Sequence, residues 1–452
     1  MRRLTFVSAL CLLNVLFVSP ADVIAQMDPW ANVRGSGAPA SQMITYDEGQ
    51  NYGEVPNAIL QDPSQNYDFV ELPAAHLSPV RLDTDLMAPL LDFQNRQSDK
   101  ELLILESQAQ NDGTPTLLLG AQFRASAFAS WSNRADKFNY LGRFPPDFTG
   151  RTASDIRLVH ANQGFVVHAA PWVSGYLETL FSDVFSFPAF NQGSFQMRQA
   201  YVTLGNLNEF PVYAFLGKKN VSFGNMGTLS PFSQSVVWHY FAPLAEGGGI
   251  GYDGGFIHVS ATALNGSRGI RVADSEVRGE LNNFAANGTL TVLESRDVDF
   301  TIGGGYLHGT IYDGPAAEHL DPGVTGPMNG AWDANANLRL GVFHLAGEYV
   351  STLNEWPVTG HQVIAYRAEG ALDLSPVWLS ASWSEGIQGA KTDEFQFNQQ
   401  LVLGCEYRMA PNVKFSLEYI RSLGFAPLIN ITTVSDKSVR QSTFLLGVTV
   451  AI

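Results

Sequence analysis

The chain has 452 residues, of which 45% are hydrophobic and only 15% charged, with 42 glycines, 12% aromatic residues and a formal charge of −16. Ordinary soluble proteins carry about 25% charged residues, and so acidic a chain does not bind nucleic acid through its net charge. Past residue 25 no run approaches the roughly 20 continuous apolar residues of a membrane helix, so a helical membrane protein is excluded. What remains is an apolar signal diluted over alternating strands.

Met1, Arg2 and Arg3 precede an apolar run from Leu4 to Val18, and Val23-Ile24-Ala25 offers a small-residue cleavage site. Residues 1–25 are read as a secretory signal peptide. Its removal takes away two arginines and one aspartate, which moves the charge to −17, and leaves Cys405 as a lone cysteine without an intramolecular disulfide. Residues 26–113 are rich in Pro, Asn, Gln and Asp and show no sustained period. They predict an N-terminal periplasmic segment, mostly irregular, with a short helix at "SDKELLILESQAQ", where Ser98 and Glu101 form a capping-box pattern.

From Thr116 the period changes to two and stays there. Strands are predicted at about 116–132, 155–169, 171–182, 195–206, 211–222, 244–252, 255–265, 281–293, 297–311, 330–339, 342–352, 361–374, 376–385, 396–409, 412–424 and 438–452. Between Leu338 and Tyr349 the apolar residues change parity, which a turn at Leu340-Gly341 explains without a bulge. The last strand, "QSTFLLGVTVAI", keeps Phe444, Leu446, Val448, Val450 and Ile452 on one face, as a closing strand facing lipid requires. Short links such as Ala170, Asp253-Gly254, Ser375 and Ala410-Pro411 alternate with links of about eight to more than twenty residues. The fold class is therefore all-β: residues 114–452 form a transmembrane antiparallel β-barrel of about 16 strands with short periplasmic turns and long extracellular loops.

Parity also assigns faces. Leu117, Leu119, Ala121, Phe123, Ala125, Ala127 and Trp131 face lipid, and Gln122, Arg124, Ser126 and Ser130 face inward. The same argument places Arg339, Glu348, Arg367, Glu369, Glu406, Arg408, Lys414 and Glu418 in the lumen with Arg124, as pore-lining residues. A midplane arginine on the lipid face would cost about 2–4 kcal/mol. These charges either line water or pair with one another across strands. Lys218 and Lys219 must point to opposite faces, in an order that parity leaves open. The link from Gly224 to Glu246 is apolar and aromatic, with Phe232, Trp238, His239, Tyr240 and Phe241, and should not stand in water. It either folds into the barrel as a constriction or covers an interface with a second copy of the chain.

The glycines of "GGGIGYDGG" match a dinucleotide fingerprint, but the strand that follows explains them as hairpin glycines. The nine histidines show no metal-ligand spacing. His160, His168 and His258 fall on the inward face, away from any lipid substrate, so no catalytic residue, metal or cofactor is assigned and an enzyme is not expected.

Several stretches resemble the LbtU-type siderophore porin family of Gram-negative outer membranes: "RQAYVTLGNLNEFPVYAFLGKKNVSFGN" (198–225), "LNNFAANGTLTV" (281–292), "GGGYLHG" (303–309) and "AGEYVST" (346–352). The resemblance implies a passive barrel of the bacterial outer membrane that takes up siderophore-bound iron or other small solutes, with lipid and a ferric siderophore or other small molecule as partners. The chain departs from the family in its terminal Ile452 and in having a short helix where the family has an N-terminal coiled coil. Sixteen strands enclose an aqueous channel, whereas energised receptors use about twenty-two around a plug. The reading is a diffusion porin. A general or sugar/anion-selective porin and a non-conducting structural or adhesive barrel are the alternatives.

Overall fold

The computed structural model describes residues 80–95, 97–111, 113–135, 150–182, 194–266, 280–314, 326–391, 396–424 and 436–452. The predicted signal peptide, the stretch up to residue 79 and parts of the long links at 133–154, 312–329 and 425–437 lie outside them. A two-residue strand β1 (Arg81–Leu82) and two helices, α1 (Thr84–Leu91) and α2 (Lys100–Ala109), come first. Strands β2 (Thr116–Ser132), β3 (Thr152–Ala170), β4 (Val173–Ser182), β5 (Ser194–Leu204) and β6 (Val212–Asn220) follow. The short helix α3 (Val236–Phe241) then precedes β7 (Leu244–Asp253), β8 (Ile257–Asn265), β9 (Leu281–Glu294), β10 (Val298–Leu307) and β11 (Ala331–Leu340). The remaining strands are β12 (Phe343–Thr352), β13 (Ile364–Leu374), β14 (Val377–Ile387), β15 (Phe397–Ala410), β16 (Val413–Leu423) and β17 (Arg440–Ala451).

Each strand from β2 to β17 pairs antiparallel with its sequence neighbours, and β17 pairs with β2, so sixteen strands close into a barrel. Ala121 N–H donates to Ile452 O at 2.9 Å and Ile452 N–H returns a bond to Ala121 O at 2.8 Å, which finishes the seam. Outward positions such as Ile156, Leu216, Ile250, Leu403, Leu417 and Leu446 are exposed, while inward Asn162, Ser382, Ser416 and Thr443 are buried. An apolar outside around a polar inside, with no free strand edge, suits hydrocarbon and not water.

Turn chemistry fixes the register at the short-turn end. Leu340 pairs with Phe343 across Gly341, whose φ of +56° is the left-handed value that a tight turn needs. At the β7–β8 turn the positive φ belongs to Gly255, one residue later than the expected Asp253-Gly254 pair, and Asp253 Oδ1 accepts from Gly255 N–H. Bulges are invisible to parity, and the one in β3 changes which side chains face inward. The β2–β3 register steps from Arg124 opposite His160 to Ala125 opposite Leu158, so Val159 is extra and the inward face of β3 changes from even to odd positions. Asp155 and Arg157 therefore share the inner face with Ser126 and Phe128.

Among the described residues two elements enter the bore. Residues 80–113 were expected as a mostly irregular periplasmic segment with one helix. The described part is instead a helical hairpin packed against the inner wall. Strand β1 runs parallel to the start of β2, where Arg81 lies opposite Leu118 and Leu82 opposite Leu119. Helix α1 begins at Asp83, whose side chain accepts from Leu86 N–H at 3.0 Å. It buries Met87, Leu90 and Leu91 against Leu118, Val166, Tyr176 and Tyr201. Helix α2 returns to the short-turn rim, burying Leu102 and Leu105 on Tyr213 and Phe215. Its N-cap is Asp99 and not Ser98; Glu101 is drawn away from capping by Lys219 of the wall. The second element is the link between β6 and β7.

Candidate functional site

The link from β6 to β7 crosses the bore to the opposite wall. Three glutamates on that wall hold it by its backbone. Glu348 of β12 accepts from Asn225 N–H (2.8 Å) and Met226 N–H (2.9 Å). Glu369 of β13 accepts from Leu229 N–H (2.9 Å) and from the Thr228 hydroxyl (2.6 Å). Glu418 of β16 accepts from Phe232 N–H (2.8 Å) and from Ser233 through both its N–H and its hydroxyl. Carboxylates suit this task because each offers several lone pairs to N–H groups that no longer reach water. Arg367 joins two of the three: Nε donates to Glu348 Oε2 at 2.8 Å, Nη1 to Glu369 Oε2 at 2.5 Å, and Nη2 to Asn225 Oδ1 at 3.1 Å.

The apolar part of the link packs behind this row. Val236, Val237, Trp238, Tyr240 and Phe241 join Phe223, Tyr312, Trp356, Val350 and Val363 in the largest buried apolar cluster of the described residues. The wall makes room with glycine. A Cβ on Gly404 would stand 2.5 Å from Pro231, and others on Gly386 and Gly447 would overlap the rings of Tyr240 and Phe232. Phe232, Trp238, His239, Tyr240 and Phe241 are thus all buried inside the barrel, with His239 set edge-on against Trp238 at 5.1 Å.

The hairpin occupies the other side of the bore. Met87 lies over Gly120 and Gly164, which face each other across β2 and β3; a Cβ on Gly120 would stand 2.5 Å from Met87. Glu101 and Lys219 form a fully buried ion pair at 2.5 Å, and Lys219 rests 4.2 Å over the Phe215 ring. Lys219 is the inward member of the lysine pair, and Lys218 donates outward to Met197 O. The tip of the hairpin meets the crossing link. Thr228 N–H donates to Gln94 O at 2.7 Å, Gln94 Nε2 donates to Ser230 O and Ser233 O, and Gln234 donates to Phe93 O. Arg124 ties wall, tip and link together, donating to Gln94 Oε1 (3.0 Å) and Phe232 O (2.9 Å) with its guanidinium 4.2 Å from the Phe232 ring centroid.

Among the described residues a cavity of about 540 Å³ lies between α1 and the wall from β12 to β17. Thr228–Pro231 bound it at one end, and Pro411 and Asn412 mark the short-turn rim. Arg408 stands on its wall, its Nη1 donating to both carboxylate oxygens of Asp373 (3.0 and 3.2 Å) and its Nε to Glu406 (3.1 Å), with the guanidinium 5.1 Å over Trp378. Lys414 and Arg124 line it as well.

The charges proposed from parity thus divide. Arg124, Glu406, Arg408 and Lys414 border the cavity. Glu348, Arg367, Glu369 and Glu418 are inward but buried under the link and do not line water; Arg367 and Glu348 instead pair across neighbouring strands, the other reading open to them. Arg339 sits at the short-turn end and donates to Ser295 O and Arg296 O of the neighbouring turn. Sequence reasoning missed the roles of Lys219, Glu101 and Gln94, because the alternation of the strands does not announce that the N-terminal segment enters the barrel. In a Cys405→Ser background, cysteines replacing Arg408 and Lys414 are expected to react with a hydrophilic thiol reagent. Ser384→Cys, under Val236 N–H, is expected to stay unlabelled, and equal labelling at all three positions would place water on both sides of the link.

No family model and no curated protein matches the chain. Among solved structures it is similar to the outer membrane channel DcaP of Acinetobacter baumannii, with a TM-score of 0.50 and 12% identity over 75% of this chain and 97% of that one. The fold is that of an outer-membrane porin. Weaker likenesses are to an anion-selective porin from Comamonas acidovorans (TM-score 0.48, 9% identity, 75% of this chain and all of that one) and to Pseudomonas putida OprB (0.47, 6%, 80% and all). This porin-type barrel differs from an open one in carrying both a crossing link and a hairpin within its bore. Among its described residues no group of three His, Cys, Asp or Glu side chains is placed to hold a metal ion.

Proposed function

We propose that the chain is a channel of the bacterial outer membrane through which small polar solutes diffuse. The observation that carries this reading is the closed sixteen-strand barrel whose outer face is apolar while its inner face holds Arg124, Glu406, Arg408 and Lys414 beside open space. In this reading the short turns lie in the periplasm and the long links outside, and selectivity follows from the width of the passage and the charges beside it. The crossing link acts as the constriction. The resemblance to siderophore porins makes chelated iron the first cargo to test, with sugars and inorganic anions as the competing classes.

The test is single-channel recording of the purified protein in planar bilayers, with each solute class added in turn. Discrete conductance steps that one class blocks in a concentration-dependent way would identify the cargo. A tag at Gly341 that labels from outside intact cells, with one at Gly323 that does not, would reverse the orientation.

A further inference from the structure

The hairpin and the crossing link are held in different ways, and the difference bears on which of them moves. The link is fixed by three carboxylates and by the large apolar cluster around Trp238 and Tyr312. The hairpin rests on two small apolar clusters, only Phe93 at its tip reaching into the large one, and much of its remaining contact with the wall is polar: Glu101 to Lys219, Gln97 to Asn220, Ser222 to Ser98 O, Gln108 to Ser174. Groups of this kind exchange protein partners for water at small net cost, because a buried ion pair contributes little beyond the desolvation it offsets. Both ends of the hairpin lie at the same rim. Arg81 sits opposite Leu118 at the start of β2, and Asn208 of the β5–β6 turn donates to Ala109 O at the end of α2. Gly113, at φ +86°, forms the joint before β2. With both ends at one rim, the hairpin can swing out through the short-turn end about Gly113.

Its tip meets the link at the edge of the cavity, which Gln94, Asn95 and Thr228–Pro231 line together. Gln94 O receives Thr228 N–H, and Gln94 Nε2 reaches Ser230 O and Ser233 O, so the tip closes against the inner side of the constriction. We propose that residues 80–113 are an autoinhibitory plug: docked, they shut the passage beside the link, and the channel conducts when the tip leaves it. The proposal rests on the channel reading above. The buried Glu101–Lys219 pair is the latch, since loss of one partner leaves the other charged and unpaired in the docked state only.

The experiment compares four full-length proteins in planar bilayers: the native chain, Lys219→Met, the charge reversal Glu101→Lys with Lys219→Glu, and a chain whose residues 84–111 are replaced by a Gly-Ser linker of equal length. Folding of each is checked by far-ultraviolet circular dichroism and heat-dependent electrophoretic mobility. The native chain is expected to be mostly closed, Lys219→Met to spend at least tenfold more time open, the reversal to restore closure, and the linker chain to stay open. Should Lys219→Met fail to fold, the native and linker chains alone decide. A native chain that conducts as steadily and as strongly as the linker chain overturns the plug while leaving the channel intact. Absence of conductance in all folded variants, the linker chain included, overturns the channel reading itself and the plug with it.

Discussion

Replacing Ser230–Ala242 with a short Gly-Ser link is expected to raise single-channel conductance several-fold and to admit larger solutes, with the barrel still folded. The replaced residues include the Glu418 contact at Phe232 and Ser233, the whole of α3, and the carbonyls of Ser230 and Ser233 that hold Gln94. They leave the strand ladder untouched, because every strand from β2 to β17 has two wall neighbours independent of the link. Losing the packing of Trp238, Tyr240 and Phe241 exposes apolar surface of Tyr312, Trp356 and Val363, so some loss of stability accompanies the gain in conductance. Bilayer recording of the variant beside the native chain gives the readout. Unchanged conductance in a folded variant would show that the link does not limit flow, and the passage would then be set by the docked hairpin or by Arg408, Lys414 and their acidic neighbours.

The wall of this barrel was open to reading from sequence because the period of two is a geometric property of the strand itself. All sixteen strands appear within a few residues of their expected bounds, and the parity change near Leu340 marks a real turn. Where parity failed, a bulge intervened: Val159 reverses the inner face of β3 and brings Asp155 and Arg157 inward. The contents of the bore were harder to read, for a physical reason. Alternation tells which way a side chain points but not what it meets there, and a glutamate facing water has the same sequence signature as Glu418, which is fully buried against the backbone of Phe232 and Ser233.

Two signals could have told the difference. Inward glycines at Gly120, Gly164, Gly404 and Gly447 are unneeded in a water-filled bore but necessary where Met87, Pro231 and Phe232 press on the wall. The apolar residues Met87, Leu90 and Leu91, followed by Leu102 and Leu105, recur at helical spacing in a stretch otherwise polar, which marks helices with something to pack on. Pro89 inside α1 hid the first of these helices, since a proline there reads as a break.

The same distinction between facing and function makes Arg367 the most sensitive single position in the wall. Its side chain is fully buried between Glu348 and Glu369, and both carboxylates also hold the link. Arg367→Met removes the shared cation and leaves two carboxylates close together in a buried site. Breaking a buried pair from one side costs about 3–5 kcal/mol, and here two pairs are broken at once. The variant is expected to unfold at markedly lower urea concentration than the native chain, followed by loss of heat-dependent electrophoretic mobility, and to conduct more strongly because Asn225 and Leu229 lose well-placed acceptors. Adding Glu348→Gln and Glu369→Gln tests the cause. The amides keep an oxygen for the N–H groups of Met226 and Leu229 but carry no charge, so the triple variant is expected to recover most of the lost stability. If Arg367→Met alone unfolds at the native urea concentration, the carboxylates have taken up protons and the arginine does not hold the link. If the triple variant is no more stable than the single one, packing around Arg367, and not charge, is what the site requires.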